Sequence, residues 1–104
     1  MNYNLSFLPE VEEDAFNAYV WYESKSNGLG EDFLRVFYAH SSEINKTPFL
    51  YQIIYNNFRR CILKRFPYAV YYIIDHKTII VTGLFHCARN PNIINDNLIN
   101  RANS

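Results

Sequence analysis

Long apolar runs are missing from this chain: none of its 104 residues fall in a stretch approaching the roughly 18 consecutive apolar positions of a membrane span. The opening, MNYNLSFLPE, has neither the basic region nor the apolar segment of a secretory leader, so the expected location is the cytoplasm. Cysteine is scarce. Cys61 and Cys87 are the only two, too few for a disulfide framework, and in a reducing compartment they are expected as free thiols. Neither has a second cysteine or a histidine at ligand spacing, apart from His86 directly beside Cys87, so no metal site and no cofactor is expected. Internal repeats and linkers are absent as well. One domain spanning 1–104, with a modest core, is all that this length allows.

Aromatic residues are abundant: nine Tyr and eight Phe help raise the hydrophobic share to 49%, which sets the chain apart from disordered sequences. The densest stretch is 58–91, where runs at 58–63, 68–74 and 78–85 are rich in the β-branched and aromatic residues that suit a pleated sheet. Pro67 breaks the first run from the second, and Asp75-His76-Lys77 has hairpin-loop length between the second and third. Along 68–74 both alternating sets are apolar or aromatic, so one face should meet the protein's own helices and the other needs a further cover or a partner.

Upstream, residues 2–7 alternate as a short half-buried strand. Pro9 and the acidic Glu10, Glu12, Glu13 and Asp14 suit a helix start, and Val11, Ala15, Ala18 and Tyr22 recur at helical spacing to about Ser26, where Asn27-Gly28 stops the helix. A second helix, with Phe33, Val36, Phe37, His40 and Ile44 on one face, should end near Lys46 because Pro48 disfavours helical geometry at Thr47. Residues 49–55 suit a strand or an extended connector, Asn56-Asn57 a turn, and Ile93, Ile94, Leu98 and Ile99 a small C-terminal helix. The expected fold is α+β in the order β-α-α-β-β-β: an antiparallel sheet of three to four strands with an N-terminal helical hairpin packed on one face.

Net charge is zero, but it is unevenly spread. Residues 1–48 carry eight acidic side chains against three basic ones, and 49–104 carry seven basic against two acidic. Either each sign lies on an ordinary solvated face, or the sheet half offers a cationic surface to an anionic partner.

Ala15 and Tyr22, the Gly28-Leu29-Gly30 turn with Phe33, Pro48, Arg59-Arg60, Phe66-Pro67-Tyr68, and His86 with Arg89 and Pro91 follow one another in an order that resembles the RelE/ParE superfamily of bacterial type II toxins, over roughly residues 5–91. The resemblance implies the toxin half of a toxin–antitoxin pair, associated with plasmid stabilisation and growth inhibition and neutralised by a cognate antitoxin in a hetero-oligomer. RelE-like members cleave messenger RNA on the ribosome, and ParE-like members inhibit DNA gyrase. The His-x-x-Arg-x-Pro ending and the FPY motif look closer to ParE. A pI near 6.8 and the lack of any Tyr after Tyr72 differ from the strongly basic nucleases.

For the nuclease alternative, Arg60, Arg89, Lys64 and His86 are the candidate catalytic set, since RNA cleavage needs a base, an acid and cations around the phosphate. Arg59, Arg60, Lys64, Arg65 and Arg89 are the candidate binding residues under either target. Strand alternation sends Arg59 and Arg60 to opposite faces unless a bulge intervenes. A third possibility is an inactive relative that only binds its antitoxin.

Overall fold

The computed structural model describes residues 3–103, in the order β1 (Asn4–Phe7), α1 (Pro9–Lys25), α2 (Leu29–Lys46), β2 (Ile53–Tyr55), β3 (Phe58–Ile62), β4 (Tyr68–Asp75), β5 (Thr78–His86) and α3 (Pro91–Ala102). The chain is α+β, as its residue pattern implies. Its sheet has five strands in the order β1-β5-β4-β3-β2. From β2 to β5 every pairing is antiparallel, as expected, whereas β1 adds a parallel edge by pairing Asn4 with Thr78 through Phe7 with Val81. Of the expected strand at 2–7, Asn2 lies outside the described residues.

The helical hairpin forms because two apolar stripes face the same side of the sheet. Val11, Ala15, Ala18 and Tyr22 of α1 and Phe33, Phe37 and Ile44 of α2 are buried against Cys61, Val70, Tyr72, Ile79, Val81 and Leu84. At its tight end, Gly28 takes a left-handed φ of 86° that other residues adopt with difficulty, and it brings no capping side chain. Glu23 substitutes from α1, its carboxylate accepting the N–H groups of Gly28 and Gly30 at 2.9 Å each. Gly30 also lets the two helices pack closely, since a Cβ there would lie 2.6 Å from the Tyr19 carbonyl oxygen.

The second face of the sheet is covered from within the chain. Ile94 and Leu98 of α3 pack on Phe58, Ala69, Tyr71 and Phe85, forming a second core. Of the two expected solutions for this face, a further cover or a partner, the chain supplies the cover itself: the Asn-rich tail winds into a 12-residue helix. Asn90 starts it, its side chain accepting the Asn92 N–H at 2.8 Å, with Pro91 in the first turn.

A bulge in β5 lets one strand serve both cores. Tyr71 pairs with Gly83 but Tyr72 pairs with Val81, so Thr82 is the extra residue and the alternation resets around it. Ile79, Val81 and Leu84 then face the hairpin while Phe85 faces α3. The buried Thr82 hydroxyl donates to the Tyr71 carbonyl at 3.1 Å.

Candidate functional site

The six candidate residues do not converge. Arg59 pairs across the ladder with Tyr72 on the hairpin face and Arg60 with Tyr71 on the α3 face, so the alternation argument holds and they point apart. Arg59 is occupied structurally: its guanidinium donates to the carbonyl of Tyr51 at 2.6 Å and of Phe49 at 3.4 Å, and it lies over the Phe49 ring. It pins the connector before β2. Arg60 is exposed; burial pushes the Tyr71 pKa up while the nearby Arg60 pulls it back.

Lys64 and Arg65 lie in the loop before β4. The Lys64 backbone N–H donates to His40 Nε2 at 3.2 Å, and the Arg65 side chain reaches Asp32 of α2 at 3.6 Å. His40 is half-buried, and burial followed by the Lys64 charge lowers its pKa. Its Nδ1 lies 3.8 Å from the Cys61 thiol, whose pKa burial raises. A buried, protonated thiol beside a neutral imidazole is a packing contact rather than an activated nucleophile. Both cysteines are free, Cys61 buried and Cys87 exposed, and the described residues contain no cluster of three or more His, Cys, Asp or Glu arranged to hold a metal.

His86 and Arg89 do come together. They line a groove of about 650 Å³ walled on one side by Asp14, Asn17 and Trp21 of α1 and on the other by Tyr68. The His86 ring packs edge-on against Tyr68 with 5.2 Å between centroids, and its Nδ1 accepts the Ala88 N–H at 3.0 Å. Arg89 lies over the Phe85 ring. Burial raises the Tyr68 pKa and the Arg89 charge opposes that shift.

Asp14, on the wall of this groove, belongs to a pair that the pattern of residues did not single out. Arg101 of α3 donates to Asp14 of α1 at 2.6 and 3.0 Å, with side-chain exposures of only 16% and 13%. Together they cap the edge of β5 where β1 stops: Arg101 donates to the Thr82 carbonyl, and Asp14 accepts the Leu84 N–H. The only signal available in sequence was a lone basic residue in a polar tail, 87 positions from its partner.

The fold so assembled is that of the RelE/ParE toxins. A solved structure of the chromosomal ParDE TA system from P. aeruginosa superposes with a TM-score of 0.68 at 13% identity, over 81% of this chain and 95% of that one. A mutant of the E. coli toxin RelE in the free state superposes with a TM-score of 0.68 at 14% identity, over 97% of this chain and 98% of that one. No family model and no curated protein matches the sequence. No helix among the described residues is long and apolar enough to cross a membrane.

Proposed function

We propose that this chain is the toxin of a type II toxin–antitoxin pair, acting in the ParE manner on DNA gyrase and held silent in a hetero-oligomer by a cognate antitoxin. The fold supports the toxin class. What supports gyrase over messenger RNA is the dispersal of the cationic candidates. A ribonuclease needs a base, an acid and phosphate-binding cations gathered around one scissile bond. Here Arg59 is tied to backbone carbonyls, Arg65 to Asp32, Arg60 stands on the α3 face, and His86 with Arg89 sits in the groove beside α1. An inhibitor that works by protein contact needs no such gathering.

The test is induction of the chain without an antitoxin, scored for plasmid supercoiling and for messenger integrity in the same cells. Loss of supercoiling with intact messenger is the expected result. Rapid messenger cleavage with normal supercoiling, abolished by Arg60→Ala in a protein that still folds, reverses the reading and makes Arg60 a phosphate ligand. No effect on growth leaves an antitoxin-binding relative.

A further inference from the structure

The groove beside α1 ends on an open piece of sheet. β1 runs alongside β5 only as far as Val81, and then turns into α1. The Cys87 N–H donates to the Pro67 carbonyl, so Phe85 and Cys87 direct their backbone groups towards β4, and Leu84 and His86 direct theirs outward. Two of those four outward groups are already used: the Leu84 N–H by Asp14 and the His86 carbonyl by the Arg89 N–H. The Leu84 carbonyl and the His86 N–H remain, an acceptor and a donor on one strand edge at the floor of the groove. The walls are apolar and aromatic: Ala18, Trp21 and Tyr22 from α1, Pro67 and Tyr68 opposite. The charge is positive, because Asp14 is neutralised by Arg101 while Arg89 is exposed at the rim.

We propose that this groove binds an extended acidic peptide segment, which adds to the outer edge of β5 in line with β1. The occupant's backbone pairs with the Leu84 carbonyl and the His86 N–H, an apolar side chain packs against Trp21 and Tyr22, and a carboxylate meets Arg89 and the His86 Nε2. The unpaired backbone groups favour a peptide over a nucleotide, which would use the aromatic walls and Arg89 but has no main chain to pair with a strand edge. The site stands apart from the choice of cellular target, since it is a property of the purified chain and survives if gyrase is unaffected.

The experiment uses the purified full chain and a fluorescein-labelled hexapeptide of alternating leucine and glutamate, followed by anisotropy and by shifts of the His86 amide in nitrogen-15 NMR spectra. The expected result is saturable binding that moves the His86 amide and becomes about tenfold weaker or worse with Arg89→Glu, or when the peptide's central amides are N-methylated. Asn17→Trp, on an exposed helix position, fills the groove and abolishes binding. Unchanged melting midpoints certify that both variants fold. Binding that survives N-methylation or Arg89→Glu overturns the strand-pairing arrangement. Equal binding of an alternating leucine–lysine peptide, binding of AMP in place of the peptide, or no binding at all overturns the groove as an acidic-peptide site.

Discussion

Asp14 and Arg101 show how a single residue's worth depends on what it leaves behind. Each is nearly enclosed, and each also satisfies a backbone group on β5, so deleting one strands a buried charge and frees part of the strand edge. Arg101→Ala should destabilise the protein by about 3–5 kcal/mol, read as a shift in the denaturation midpoint. Asp14→Asn with Arg101→Met should cost less than the two single changes added together, which a double-mutant cycle measures directly. His40 supplies a pH dependence. Its folded pKa is lowered from 6.5, so the unfolded chain takes up a proton first as the solution is acidified. The stability it contributes is complete above 6.5 and is lost as pH falls through the lower folded value. His40→Gln should flatten that part of the stability profile, seen by comparing denaturation midpoints of variant and parent at neutral and mildly acidic pH.

At the scale of elements, α3 has the largest consequence for exposed surface. Leu98 is fully buried over the face that Tyr71 and Phe85 present. Leu98→Ala should cost about 2–5 kcal/mol and raise the binding of a hydrophobic dye, because the second core loses its lid as well as a side chain. The elements themselves were mostly legible. Both hairpin helices and β3, β4 and β5 follow from residue type and spacing, since period and punctuation are local properties. What escaped was pairing and coverage. Tyr3, Leu5 and Phe7 mark a strand, yet nothing local says that it runs parallel to a partner more than seventy residues later. Ile94 and Leu98 indicate a short helix, but which face it covers depends on the bulge at Thr82, whose one sequence signal is the isolated Gly83 beside it. The groove escaped for the same reason: Asn17 and Trp21 lie on outward positions of α1, and only the tertiary arrangement sets them opposite His86 and Arg89.

Over the whole molecule, the segregation of charge in sequence is partly undone by the fold. The acidic half is largely the hairpin and the basic half the sheet and tail, and two of the seven basic side chains after residue 48 are returned to the helices as ion pairs, Arg65 with Asp32 and Arg101 with Asp14. Arg59 is held against the backbone of its own connector. Arg60, Lys64, Lys77 and Arg89 therefore remain as exposed cations, scattered over separate parts of the sheet half: Arg60 on the α3 face, Lys64 in the loop before β4, Lys77 in the turn before β5 and Arg89 at the β5 edge. A surface of that kind engages few phosphates at once. Each contact with a single strand contributes about −0.7 to the slope of log affinity against log salt, so two contacts at once give about −1.4 and all four together about −2.8. Titration of a fluorescent single-stranded RNA at several salt concentrations should therefore yield weak binding and a slope no steeper than about −1.5. A slope of about −2.8 or steeper would mean that the cations gather on RNA after all, and the argument from dispersal that favours gyrase would fail with it.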